Sequence, residues 1–341
     1  MKTVFISGGG TGGHYYPALA VAQALKEKGY KVVYVGTDKG IEGKKGFEYA
    51  DEIHLFPMKA VRGKNFLGKI QGAISLIKTT LKVVKLLKKE EPSFSLCFGG
   101  YTSFPLGVAS FLTKTPLYIH EQNSIPSYTN RILSFFAEKI FITFEYSSKF
   151  FNPKKTYLVG MPLRRSIIER AKNYVYKPTD KKTVLVLGGS QGSKKLSQLT
   201  VQLAKDMPDI NFILIKGKWE FDNTDLQNLT IYDYYEHMED LYEVADIVIS
   251  RSGSGTVNEI LAFGKYAIFV PYPYAASNHQ YYNIKWLQDL GLCQIIEEKN
   301  LTLESVKTAL LESFSKDLQN LFNRIKTLSN IDAIDKILTL C

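Results

Sequence analysis

A histidine closes the glycine run GGGTGGH, which starts at Gly8 and ends at His14. Glycines let a backbone approach a ligand closely, and a helix that opens behind them turns free N–H groups toward an anion. At such a helix end the dipole disfavours imidazolium. A neutral imidazole beside a bound phosphate can then serve as a general base. The alternative is a capping or packing histidine. Gly8, Gly10 and Gly13 also fit G-x-G-x-x-G, but a dinucleotide reader needs an acid at the tip of the second strand, and Asp38 falls late.

A second constellation, SRSGSGTVNE, covers 250–259. Ser254, Gly255 and Thr256 can present backbone N–H groups to a pyrophosphate. Glu259 lies three residues after Thr256, so two readings stand: a capping box, or a carboxylate accepting ribose hydroxyls one turn from the phosphates. Gln280, in the run Asn278-His279-Gln280, carries an amide that can read sugar hydroxyls or merely start a helix. Two further polar runs, HEQNS at 120–124 and GGYTS at 99–103, each follow an apolar strand pattern. With the run from Gly8 to His14 they would form one rim of a cleft.

These groups need scaffolding. Short β-branched runs at 3–7, 31–35, 95–98, 117–120 and 139–143, then at 183–187, 211–215, 247–250 and 266–270, alternate with helical patterns. Helices are expected at 17–28, 66–89, 194–205, 256–263 and 281–290. That alternation predicts an α/β fold with parallel sheets. A strand–glycine–helix opening occurs twice, at Gly8 and again at Gly188, predicting two doubly wound domains in series with ligand between them at the carboxyl ends of the strands. In the 66–89 helix, Leu67, Ile70, Ile74, Ile77, Leu81 and Val84 are expected to form a core stripe. Lys78, Lys82, Lys85 and Lys89 run beside it, as a solvated face or as a surface for anionic lipid headgroups.

The 341 residues are 45% hydrophobic and 22% charged, which suits two globular domains and excludes a disordered chain. Lys plus Arg exceeds Asp plus Glu by 43 to 33, a net charge of +10 that suits an anionic partner. Three scattered cysteines, Cys97, Cys293 and Cys341, argue against a disulfide framework or zinc site and fit a reducing compartment. The opening run from Lys2 to Ile6 reads as a buried strand, too short for a signal peptide. No 18-residue uncharged apolar stretch occurs to span a bilayer. Asp-x-Asp, H-E-x-x-H and the P-loop are all missing, leaving no motif support for a divalent-metal site or an ATPase.

Taken together, GGGTGGHYYPALA, VGTDKGIE, GGYTSFP, IHEQNSIP, GMPLR, LGGSQGS, SRSGSGTVNEI and HQYYN resemble the MurG family, the bacterial cell-wall N-acetylglucosaminyltransferases that convert lipid I to lipid II. The resemblance implies a GT-B fold, two Rossmann-like domains facing across a cleft. Residues 1–159 with the tail 331–341 would form the acceptor- and membrane-binding domain, and 160–330 the UDP-N-acetylglucosamine-binding domain. It further implies an inverting, metal-independent hexosyltransferase without cofactor. The enzyme would be peripheral on the cytoplasmic face of the inner membrane and serve peptidoglycan synthesis, cell shape and division. Its partners would be UDP-N-acetylglucosamine, lipid I and anionic lipids, with other cell-wall enzymes as further candidates and no nucleic acid.

Carried over by position, Glu259 would hold the ribose, Ser190, Ser254, Gly255 and Thr256 would hold the diphosphate, and Gln191 and Tyr235 would also bind the donor. Arg164 would lie near the nucleotide, and Gln280 and Asn123 at the donor sugar. Gly9, Gly10, Thr11 and Gly13 would face the acceptor pyrophosphate. Thr11, Gly12 and Gly13 would also border the donor, and Gly99, Gly100 and Tyr101 the acceptor. His14 is the candidate base, with Glu121 as rival or helper. Two positions depart from the family's usual residues: Met161, where Asn is common, and Asn278, where Asp is common. The competing readings are a GT-B enzyme acting on diacylglycerol, a nicotinamide-dependent oxidoreductase and a non-catalytic membrane adaptor. IHEQN after GGY, the late Asp38, and the intact His14, Glu259 and Gln280 argue against them in turn.

Overall fold

The computed structural model describes residues 2–59, 66–189, 192–220 and 225–341. The chain divides into two compact units, Met1–Arg164 with Asp332–Cys341, and Arg165–Ile331.

In the first unit the order is β1 (Thr3–Ser7), α1 (Gly12–Glu27), β2 (Lys31–Thr37), α2 (Ile41–Lys45), β3 (Glu52–Phe56), α3 (Phe66–Glu90), β4 (Phe94–Cys97), α4 (Gly100–Thr113), β5 (Leu117–Glu121), α5 (Tyr128–Leu133), β6 (Lys139–Ile142) and β7 (Thr156–Leu158). The strands form one parallel sheet in the order β3-β2-β1-β4-β5-β6-β7. Val4 pairs Val32 on one side and Phe94 on the other, so the order reverses at β1 and β4. That reversal opens a crevice at the strands' carboxyl ends, where doubly wound sheets bind ligand. Apolar side chains bury both faces of the sheet, as parallel sheets require.

The second unit runs α6 (Arg165–Asn173), β8 (Thr183–Leu187), α7 (Lys194–Asp206), β9 (Asn211–Ile215), β10 (Leu229–Tyr232), α8 (Met238–Val244), β11 (Ile247–Ser250), α9 (Ser254–Ala262), β12 (Tyr266–Phe269), α10 (His279–Asp289), β13 (Cys293–Ile295), α11 (Leu303–Phe314) and α12 (Leu318–Lys326). Its parallel sheet has the order β10-β9-β8-β11-β12-β13, reversing at β8 and β11. The last helix, α13 (Ala333–Leu340), belongs to the first unit. There Ile337 is buried in the core, and Lys139 Nζ donates to the Leu340 carbonyl.

Two expectations need correction. The first concerns α1, which starts at Gly12 rather than at Pro17. Proline suits a first turn, but here Pro17 lies inside the helix, and the glycines themselves form the first turn. The second concerns α3. Its buried line is Gly72, Leu76, Thr79, Thr80, Val83 and Leu87, and the helix packs on α4. Leu67, Ile70, Ile74, Ile77 and Leu81, expected in the core, are exposed instead. The 3.6-residue period is real, but the inner face mixes Gly72, Thr79 and Thr80 with Leu76, Val83 and Leu87, while the five other aliphatics point outward.

Candidate active site

In the first unit the loops after β1 and β4 are stitched together. Ser7 Oγ donates to the Thr102 carbonyl at 3.1 Å, and Ser103 Oγ donates to the carbonyls of Ser7 at 2.9 Å and Gly99 at 2.8 Å. The Gly9 N–H donates to Thr102 Oγ1 at 3.1 Å. The Gly10 N–H donates to both carboxylate oxygens of Glu42, at 3.2 and 2.9 Å, and Thr37 N–H donates to Oε1 at 3.1 Å. Glu42 is completely buried, and a Cβ on Gly9 would sit 2.1 Å from its Oε1, so only glycine fits there. Two amides expected at the acceptor pyrophosphate, those of Gly9 and Gly10, therefore already have internal acceptors. The first turn of α1 leaves Gly12 and Gly13 N–H without an intrahelical carbonyl, behind the exposed Thr11.

His14 is half-buried in that turn. Its Nδ1 lies 3.0 Å from Gln122 Oε1. Gly99 and Gly100 both adopt positive φ, +86° and +73°, and a Cβ on Gly100 would lie 3.1 Å from His14 Cδ2 and 3.5 Å from Nε2. The imidazole thus rests against bare backbone. Beside it Tyr101 is half-buried; burial raises its phenol above the ordinary value, and a hydrogen bond with Thr37 opposes that.

Glu121 ends β5 fully buried. Its Oε1 accepts from Asn123 N–H at 2.9 Å and Asn123 Nδ2 at 3.4 Å. Its Oε2 accepts from Ser127 N–H and Asn130 Nδ2, both at 2.9 Å. Four donors on one buried carboxylate make a clip that shapes the loop into α5 and places Asn123. Arg164 lies with its guanidinium 6.0 Å from the Tyr16 ring centre.

In the second unit, α9 opens after Gly253 with no side-chain cap, and Ser254, Gly255 and Thr256 supply its first turn of free amides. The Thr256–Glu259 capping box does not form, because Thr256 is already inside the helix. Glu259 sits one turn on, its Oε2 accepting from Tyr242 Oη at 2.9 Å. Buried Asn258 and Asn283 brace this end, donating to the carbonyls of Ser254 at 2.8 Å and Ser252 at 3.1 Å. Gln280, in the first turn of α10, accepts through Oε1 from Tyr272 N–H at 2.9 Å. Tyr235 is half-buried edge-on to Tyr232, ring centres 4.9 Å apart. Ser190 and Gln191 lie outside the described residues. Among the described residues no three His, Cys, Asp or Glu side chains converge as a metal site would need.

Residues 4–142 match the glycosyltransferase family 28 N-terminal domain, and residues 183–337 match its C-terminal domain. A relative from Sulfurihydrogenibium sp. (strain YO3AOP1), a UDP-N-acetylglucosamine--N-acetylmuramyl-(pentapeptide) pyrophosphoryl-undecaprenol N-acetylglucosamine transferase, is 66% identical over 99% of this chain and 97% of its own. This chain belongs to glycosyltransferase family 28. A relative of the same description from Aquifex aeolicus (strain VF5) is 36% identical over 94% of this chain and 96% of its own. The crystal structure of Acinetobacter baumannii MurG superimposes with a TM-score of 0.81 at 27% identity, covering 100% of this chain and 99% of that one. A UDP-GlcNAc 2-epimerase from Neisseria meningitidis, 14% identical with a TM-score of 0.68 over 99% of each chain, shares the fold.

The family 28 chain is thus a MurG-type N-acetylglucosaminyltransferase with the two Rossmann-like domains of the GT-B fold. Within its first domain the fold gathers Gly9, Gly10, His14, Gly99, Gly100 and Tyr101 at one strand-order reversal. Within the second it gathers Ser254, Gly255, Thr256 and Glu259 on one helix end. Sequence reasoning gave no role to Glu42, and it placed Thr102, His120 and Gln122 in polar runs at the rim without assigning what each does. For Glu42 a signal existed: an acid set between Gly40 and Gly43 just after β2, at the end of VGTDKGIE.

Proposed function

We propose that this enzyme transfers N-acetylglucosamine from UDP-N-acetylglucosamine to the C4 hydroxyl of the lipid I muramyl sugar, with inversion, forming lipid II. The reading rests on near-complete family coverage at 66% identity. The observation that carries its chemistry is the His14 imidazole, resting on Gly100 with Nδ1 engaged and Nε2 available as a base. The first domain takes the acceptor and the second the donor.

His14 Nε2 accepts the C4 hydroxyl proton as that oxygen attacks the anomeric carbon opposite UDP. Positive charge grows on the sugar and negative charge on the departing diphosphate. The amides of Ser254, Gly255 and Thr256 stabilise the latter, supported by Arg164, Ser190 and Gln191. Glu259 accepts the ribose hydroxyls and Tyr235 contributes to donor binding, while Gln280 and Asn123 read the donor sugar. Thr11, Gly12 and Gly13 border both diphosphates, and Gly99, Gly100 and Tyr101 line the acceptor side. Glu121 holds the loop that carries Asn123. Gly9 and Gly10, their amides engaged by Thr102 and Glu42, shape the acceptor loop.

The enzyme works peripherally on the cytoplasmic face of the membrane. The supporting feature is α3, whose outer face combines exposed aliphatics with Lys78, Lys82, Lys85 and Lys89. No helix among the described residues is long and apolar enough to cross a membrane.

The decisive assay is purified chain with UDP-N-acetylglucosamine and a lipid I analogue, with EDTA present. Transfer is expected to persist in EDTA, since no step assigned above uses a metal. His14→Ala is expected to lower kcat about 10²-fold or more, the usual worth of a positioned base. Failure to form lipid II refutes the substrate assignment, and near-normal turnover in His14→Ala refutes the base.

A further inference from the structure

Behind His14 lies a chain of hydrogen bonds whose donors and acceptors can be worked out one at a time. His120, on β5, has Nε2 3.0 Å from the Gly160 carbonyl. A carbonyl only accepts, so His120 carries its proton on Nε2. The ring is fully buried, and burial pushes its pKa down to about 4, so it holds one proton and its Nδ1 is a bare lone pair. Gln122 is also buried, and its Nε2 lies 3.1 Å from that Nδ1 and 3.1 Å from the His120 carbonyl. Both are acceptors, so the amide nitrogen is held at this end and the oxygen is turned outward. Gln122 Oε1 then faces His14 Nδ1 at 3.0 Å and accepts a hydrogen bond from it.

We propose that Gln122, oriented by His120, is a positioning residue that holds neutral His14 as its Nδ1–H tautomer and so leaves Nε2 as the basic atom. The assignment deepens the reading of His14 as the base and depends on it. Gln122 acts through His14 and touches no substrate. Its amide is uncharged, and it sets the tautomer by offering Nδ1 an acceptor only. The outward edge is set by sterics: His14 Cδ2 and Nε2 lie over Gly100, where a side chain would crowd them.

The test uses the full chain labelled with ¹⁵N. Long-range ¹H–¹⁵N spectra distinguish Nδ1–H from Nε2–H imidazoles, and the five histidines are assigned by single substitutions. His14 is expected as Nδ1–H and His120 as Nε2–H. In Gln122→Met, His14 is expected to shift toward Nε2–H. There kcat falls about 10–100-fold, less than the full worth of a positioned base, and the KM for UDP-N-acetylglucosamine stays within about twofold. A native spectrum with His14 as Nε2–H overturns the proposal without any variant. So does a folded Gln122→Met chain with unchanged tautomer and kcat. If His14→Ala keeps its turnover, the base assignment fails separately, whatever the tautomer.

Discussion

Replacing Ile77 and Leu81 together by Glu should detach the enzyme from anionic membranes while sparing its chemistry. Leu67, Ile70, Ile74, Ile77 and Leu81 are 68%, 42%, 47%, 61% and 59% exposed on the outer face of α3. That amounts to about three whole aliphatic side chains in water. At roughly 1.5–3 kcal/mol per buried side chain, inserting them into a lipid interface contributes about 4–8 kcal/mol. The adjacent lysines add about 1 kcal/mol each beside an anionic surface. Ile77 and Leu81 account for about 2–4 kcal/mol of the apolar part, so their loss should weaken partitioning roughly 30- to 1000-fold. New carboxylates near anionic headgroups weaken it further. Co-sedimentation with phosphatidylglycerol-containing vesicles measures the effect. Turnover on a short-chain, water-soluble lipid I analogue should stay within about twofold, because neither residue touches the proposed site. Equal vesicle binding by the variant and the parent would refute the membrane reading and leave this face to some other partner. Replacing Lys78, Lys82 and Lys85 by Glu should also weaken binding, and the parent's binding should fall as salt rises.

Three other outcomes are expected. Gly100→Ala places a Cβ at positive φ, at a cost of about 1–2 kcal/mol, and presses it on His14, so kcat should drop about tenfold with a small loss in Tm. An unchanged kcat would show that the imidazole's position does not depend on that bare backbone. Glu259→Ala should raise the KM for UDP-N-acetylglucosamine about tenfold, the scale of a charged hydrogen bond, whereas an unchanged KM with a lower Tm would make the carboxylate a mere partner of Tyr242. Lys265 is buried, its Nζ donating to the Ala245 carbonyl at 2.7 Å and to Tyr174 Oη, and burial lowers its pKa to about 7 although Asp246 and Glu243 oppose this. The unfolded chain therefore holds more protons between pH 7 and about 10, and stability from this group rises with pH across that window. From pH 7 to 9 the gain should be about 2 kcal/mol by denaturant titration, absent in Lys265→Met. A parallel pH response in both chains would contradict it.

Much of the scaffold was legible because parallel strands buried on both faces read as continuous β-branched runs. The strands Thr3–Ser7, Thr183–Leu187, Asn211–Ile215 and Ile247–Ser250 keep the bounds the pattern sets. The edge strands Glu52–Phe56 and Leu229–Tyr232 escaped, since none of their residues is fully buried and no apolar run marks them. Periodicity likewise showed that α3 has a stripe and could not say which side faces the sheet. The residues that set direction, Gly72, Thr79 and Thr80, carry no strong hydropathy of their own.

The chemistry divides the same way. Residue types alone determined that glycine turns and helix starts would present amides, and that His14 and Glu259 were groups able to act there, because those properties are local to a few consecutive positions. Only tertiary structure decided which amides are already taken, that Glu121 is enclosed by its own loop, and that Gln122 hands His14 its tautomer. Such assignments depend on distances between residues up to about a hundred positions apart in the chain, and hydrogen-bond partners at that separation exist only once the sheet has brought its strand ends together.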